Sequence, residues 1–97
     1  MARFDVYLGK RGYLLDVQSE SLEMLESRIV VPLVPNTPSV VPFARLNPVF
    51  QINGRPLMMM TQLLTAVRKS ILGVKQGSVA FEADEITRAI DMALQGF

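Results

Sequence analysis

The sequence predicts an α+β fold that is mostly β and ends on one C-terminal helix. Three observations predict it. Hairpin turn chemistry occurs twice, at Gly9-Lys10-Arg11-Gly12 and at Asn53-Gly54, each time between β-rich apolar runs. Residues 28–34 are dense in β-branched side chains. Helical periodicity combined with an acidic helix start occurs near the end of the chain, at residues 82–96.

The elements follow in order. Residues 3–17 read as a hairpin, with Phe4-Asp5-Val6-Tyr7-Leu8 and Tyr13-Leu14-Leu15-Asp16-Val17 as its strands. Residues 18–26 are polar and acidic and read as a loop with room for a helical turn. Residues 28–34 form a strand whose Pro32 lacks an N–H, which places it at an edge or at a bulge. Pro35, Pro38 and Pro42 mark an irregular stretch. Asn53-Gly54 is the type I′ hairpin signature, and Pro56 sends the returning strand to an edge or bulge. In residues 61–73, Leu63, Leu64, Val67 and Ile71 have helical spacing, so the local pattern slightly favours a helix there. Residues 74–81 read as a loop or short strand. Glu82, Asp84 and Glu85 suit a helix start. Ile86, Ala89, Ile90, Ala93 and Leu94 form the apolar stripe of that helix, and Gly96 stops it.

At 97 residues the chain is expected to be a single domain, residues 1–97, with a small core. Hydrophobic residues make up 49% of it, yet no apolar run approaches the roughly 20 residues of a membrane helix. That surplus of apolar surface predicts a twofold homodimer, with no membrane partner. The chain contains neither cysteine nor histidine. This removes disulfides, thiolate metal sites, the commonest general base and the Ser-His triad together, so no cofactor or metal is expected. With no signal-peptide h-region, the composition fits a reducing cytoplasm. Between Ser27 and Phe81 there is no Asp or Glu, only Arg28, Arg45, Arg55, Arg68, Lys69 and Lys75. Such a stretch suits an acidic partner. Its cations are thinly spread and no RNP-like or helix-turn-helix pattern accompanies them, so direct nucleic-acid readout is not expected.

The end of the chain stands out. The helix pattern runs almost to Gln95-Gly96-Phe97, where an aromatic ring shares the last residue with the α-carboxylate. That pairing of an apolar ring and a negative charge can be presented to a partner.

Several segments together resemble the CcdB family of toxins. They are Phe4-Asp5-Val6-Tyr7, Leu15-Asp16-Val17-Gln18-Ser19, Arg28-Ile29-Val30-Val31-Pro32-Leu33, Leu46-Asn47-Pro48-Val49-Phe50-Gln51-Ile52 followed by Gly54, Met59-Met60-Thr61, Ile71-Leu72-Gly73 and residues 86–97. Their order and spacing carry the resemblance, not any one of them. The resemblance implies a homodimer of CcdB/MazF-like small barrels: an antiparallel sheet, an accessory sheet and one C-terminal helix, with residues 61–73 extended and not helical. It implies a toxin that is not an enzyme. Such a toxin binds the A subunit of DNA gyrase, traps the gyrase–DNA cleavage complex, and is neutralised by a CcdA-like antitoxin with an unstructured segment. The gyrase contacts implied by the resemblance fall on Asp91, Leu94, Gln95, Gly96 and Phe97. Gly96 matches the familiar members; Gln95 stands in place of a tryptophan, Phe97 in place of an isoleucine and Asp91 in place of an asparagine. The tryptophan is the sort of anchor that dominates interfaces, and Phe97 offers comparable apolar area two positions on. The family's proline on the approach to Ile71-Leu72-Gly73 is also missing, with Arg68 there instead. Arg45 and Arg68 are the candidates for receiving an acidic antitoxin segment.

The alternative function is RNA cleavage of the MazF type, reached through the related barrel. Without histidine it would rest on pairs such as Arg28 with Ser27 or Arg55 with Thr61. A further alternative is a degenerate homologue that no longer poisons gyrase.

Overall fold

A computed structural model describes residues 2–37, 42–43 and 45–96. Seven strands are present among them: β1 (Asp5–Gly9), β2 (Gly12–Asp16), β3 (Ser27–Pro35), β4 (Val49–Ile52), β5 (Arg55–Met59), β6 (Thr65–Arg68) and β7 (Lys75–Ser78). One helix, α1 (Ala83–Gln95), follows them. The strands form an antiparallel sheet in the order β4-β5-β3-β2-β1-β7, and β6 pairs with the first half of β3.

Both hairpins form where the turn chemistry places them. β1 and β2 are joined across Lys10-Arg11, with Gly9 opposite Gly12. β4 and β5 are joined across Asn53 (φ +52°) and Gly54 (φ +77°), the pair of left-handed residues that a type I′ turn requires.

Alternation along the strands decides the core. Val6, Leu15, Val31, Leu33, Phe50, Ile52, Leu57 and Met59 point to one face, where Ile86 and Ala89 of α1 cover them. The intervening residues are buried as well: Asp5, Tyr7, Asp16, Arg28, Val30 and Met58 lie on the opposite face. A single helix covers only one face, so burial of the other requires the sheet to curl over it. The curl is visible at its ends. Asn53, on the β4–β5 turn, reaches Gln76 of β7 at 3.5 Å, although those elements sit at opposite ends of the strand order.

The second face is polar at its centre. Asp16 and Arg28 are diagonal neighbours across β2 and β3, and both side chains are completely buried. Arg28 donates to Asp16 Oδ2 through Nε at 3.0 Å and also through Nη2. The other carboxylate oxygen accepts the Gln18 backbone N–H at 3.0 Å. Gln18 in turn accepts from Ile29 N and donates to Leu22 O, which ties the 18–26 loop to β3. Nearby, the Tyr7 hydroxyl donates to Asp5 (3.3 Å), whose other oxygen meets Lys75 (3.4 Å). Burial, then the charge of Asp5, pushes the Tyr7 phenol up to about 12.

Three local expectations are corrected. Residues 61–73 are not helical: they hold a 3₁₀ turn, strand β6 and a second 3₁₀ turn. Pairing with β3 satisfies the β6 backbone, and the residues of the expected helical stripe are not a buried face, since Leu63 and Ile71 are exposed. This is the extended form that the family resemblance implies. Pro32 lies at neither an edge nor a bulge, because β3 is central. Its carbonyl accepts from Met60, so its missing N–H points to the same side, into the gap between the β6 and β5 pairings. Pro56 likewise sits on an interior strand. Its carbonyl accepts from Asn36 just past the last β3–β5 pair, so the N–H it lacks falls where that ladder ends.

Candidate functional site

α1 carries Asp84 and Glu85 in its first turn and no cation in its last. Ile86 and Ala89 are buried and Ile90 is half-buried. The same stripe then leaves the core. Ala93 is exposed and Leu94 is 71% exposed, although both continue the apolar spacing. Gly96 ends the helix at φ +82° and donates to Met92 O at 3.0 Å, a conformation that costs an L-residue with a Cβ about 1–2 kcal/mol. Gln95 and Gly96 are exposed. Phe97 lies outside the described residues.

Two grooves flank this helix and share Met92. One, of about 390 Å³, is formed by Phe43, Leu46, Thr61, Gln62, Leu64 and the Met92–Leu94 turn. The other, of about 720 Å³, contains Arg45, Phe81, Arg88 and Asp91 beside Glu82, Asp84 and Glu85. Asp91 therefore lies in the second groove and Leu94 in the first. Desolvation against the groove wall, then the hydrogen bond and charge of Glu82, pushes the Glu85 carboxyl up.

The wall opposite the helix end is held by a polar clasp. Buried Asn47 donates to Met59 O (3.0 Å) and Gln62 Oε1 (2.9 Å), and accepts from Phe43 N (2.9 Å). Thr61 donates its hydroxyl to Leu46 O. The clasp fixes Phe43 beside Leu94, and Arg45 next to it has φ +68°, which a non-glycine residue adopts only when its surroundings impose it. Sequence reasoning missed this wall. The Asn47-Pro48 pair signals a turn, but nothing local shows that the turn faces α1.

The structure brings Arg45 and Asp91 into one groove. Arg68 sits elsewhere, exposed on β6 opposite Ser27. Neither arginine has an ion-pair partner among the described residues. The pairs considered for RNA cleavage are not assembled. Arg28 is completely buried on Asp16, and Thr61 is buried with its hydroxyl committed to Leu46, while Arg55 is exposed at the β4–β5 turn. Among the described residues no cluster of acidic side chains could hold a metal, and no helix is long and apolar enough to cross a membrane.

The curled antiparallel sheet with one covering helix is a fold shared with solved structures. An endoribonuclease from a mycobacterial species, solved with its cognate antitoxin, superposes with a TM-score of 0.80 at 16% identity, over 97% of this chain and 94% of its own. A second mycobacterial endoribonuclease gives 0.82 at 15% identity, over 97% and 90%. The Mycobacterium tuberculosis toxin MazF-mt6 gives 0.77 at 14%, over 93% and 95%. The family described as CcdB protein matches residues 3–96, and the chain belongs to that family of toxins of toxin–antitoxin systems. No curated protein matches it in sequence.

One expectation is overturned here. The family resemblance implied a protein that is not an enzyme. The solved neighbours are endoribonucleases, so this fold hosts catalysis and that expectation does not stand.

Proposed function

We propose that the exposed end of α1 binds the A subunit of DNA gyrase and traps the gyrase–DNA cleavage complex. One observation carries the reading: the apolar stripe of α1 runs past the core and ends on Leu94, 71% exposed, beside Phe43, 65% exposed. A monomer gains nothing from an uncovered anchor of this sort at a helix terminus, whereas a partner pocket does. The position coincides with the residues that the family resemblance marks: Asp91, Leu94, Gln95, Gly96 and Phe97. A homodimer would present two such ends about a twofold axis, matched to the twofold of a gyrase A dimer. Preference for the open, cleaved state would shift gyrase toward broken DNA.

The cognate partner of this reading is a CcdA-like antitoxin; a fold neighbour was solved with its own antitoxin. Arg68 is the better receiver of an acidic segment. Arg45 shares its groove with Glu82, Asp84, Glu85 and Asp91, which offset its charge.

The test combines purified protein, host gyrase, ATP and supercoiled plasmid, followed by detergent and protease. Linear DNA is expected with the intact chain, and is expected to disappear with Leu94→Ser and with deletion of residues 95–97. A folded dimer that yields no linear DNA refutes the reading. A second reading, RNA cleavage, is supported by the endoribonucleases among the fold neighbours. It predicts degraded transcripts after induction with plasmid DNA left intact.

A further inference from the structure

The end of the sheet remote from the end of α1 carries a feature that the gyrase reading does not use. The β1–β2 turn, the β4–β5 turn and the last residues of β3 converge there. Between them lies a pocket of about 280 Å³ lined by Tyr13, Pro35, Asn36, Arg55, Pro56 and Leu57. Its walls are tied to the sheet: the Asn36 backbone N–H donates to Pro56 O at 3.0 Å, and Tyr13 is paired with Leu33.

We infer that this pocket takes one unpaired base of a single-stranded nucleic acid, with Tyr13 against the base and Arg55, Arg11 and Lys10 on the flanking phosphates. Three observations carry the inference. First, the pocket is lined mostly by apolar surface and includes Tyr13, Asn36 and Arg55, whose side-chain polar groups make no hydrogen bond or ion pair among the described residues. An aromatic face beside donors and acceptors is the chemistry that recognises an unstacked base.

Second, the charge is one-sided. Residues 9–13, 33–37 and 52–57 contain Lys10, Arg11 and Arg55 and no Asp or Glu. None of the three cations is in an ion pair among the described residues. The carboxylates of β1 and β2, Asp5 and Asp16, lie toward the other ends of their strands, and both are paired. Continuing the β2–β3 register places Arg11 opposite Pro35, which on its other side faces Leu57. With strands about 4.8 Å apart, Arg11 and the β5 wall are roughly 10 Å from each other, so the cations flank the pocket from two sides. The fold thus gathers cations that the sequence scatters, which is why nucleic-acid readout was not expected from the sequence.

Third, the size of the pocket, about 280 Å³, suits one planar group.

The test is fluorescence anisotropy of the full chain with a labelled ten-nucleotide single-stranded RNA, its DNA counterpart, a blunt duplex of the same sequence and a labelled poly-glutamate peptide. Both single strands are expected to bind at low salt and the duplex more weakly. A preference for RNA over DNA would assign a 2′-hydroxyl contact; equal binding would assign the base and phosphate alone; each supports the proposal. Arg55→Gln is expected to weaken binding about tenfold and to lower the slope of log K against log salt by about 0.7, the contribution of one phosphate contact on a single strand. Tyr13→Leu, which keeps apolar volume at the core edge, is expected to weaken binding about tenfold without flattening the slope. Arg11→Gln is an exposed change that tests the phosphate contact should Tyr13→Leu fail to fold. The proposal is overturned by absence of oligonucleotide binding at low salt, by affinities unchanged in Arg55→Gln and Arg11→Gln, or by duplex or poly-glutamate binding as tightly as the single strand. The readout is binding and needs neither gyrase nor cleavage, so its failure is distinguishable from the failure of either reading of function.

Discussion

Replacing Asp16 with alanine leaves Arg28 as a buried cation with no partner. Both side chains are completely buried, and Asp16 accepts from Nε, from Nη2 and from the Gln18 backbone. Arg28 Nη1 is already unpaired within the described structure, so the guanidinium has no second acceptor to turn to. Breaking one side of a buried pair costs about 3–5 kcal/mol, because the remaining charge stays desolvated. A domain of 97 residues has about 5–15 kcal/mol of total stability. The substitution therefore removes a large part of it. In a urea titration with a slope of about 2 kcal/mol per molar, the midpoint should fall by roughly 2 M. The double replacement Asp16→Leu with Arg28→Met should recover most of the loss, since apolar pairs of similar volume often equal or exceed a buried ion pair. An Asp16→Ala midpoint within about 0.5 M of the wild type, or a double variant as unstable as the single, would refute the account of this pair as a desolvated charge couple.

Three further outcomes follow from the structure. Tyr7 should not ionise near its ordinary 10 but near 12, so its contribution to stability is complete below pH 10 and is lost as pH rises toward 12; tyrosinate absorbance reads this, and Tyr7→Phe should flatten alkaline unfolding in that window. Gly54→Val places a β-branched residue at φ +77° and should cost about 1–2 kcal/mol in thermal or urea unfolding; an unchanged melting temperature would contradict the type I′ turn. Leu94→Ser should leave the melting temperature within a degree or two while abolishing cleavage-complex formation, because an exposed residue contributes little to the core.

What the sequence showed and what it concealed divide along physical lines. The two hairpins were legible because their turns are local chemistry: Gly9 to Gly12 and Asn53-Gly54 need no distant partner to declare themselves. Helix α1 was legible through its acidic start, its stripe and Gly96. In residues 61–73 the local pattern misleads, because Leu63, Leu64, Val67 and Ile71 fit a helical face by spacing alone, whereas the family resemblance implies the extended form observed. Their state is set by β3, which offers a ladder to residues 65–68. Pro32 was misplaced for a related reason. A missing N–H normally marks an edge, but here it faces the gap between two partners of one strand. The Asn47 clasp and the basic pocket could not be read at all, since each joins residues that only tertiary pairing brings together.

The pairing of β1 with β7 also bears on how the protein is made. The second strand to hydrogen-bond β1, between Asp5 and Ser78, is encoded far downstream, and the helix that covers the core comes later still. Ribosomes deliver about 5–20 residues per second, so the first hairpin waits seconds before its neighbour exists. During that interval β1 has one open edge and Val6 and Leu15 have no α1 above them. Such long-range closure slows folding, and the surface at Leu94 does not exist until residue 94 has been translated. An interrupted translation product would therefore carry the hairpins without the surface proposed to bind gyrase.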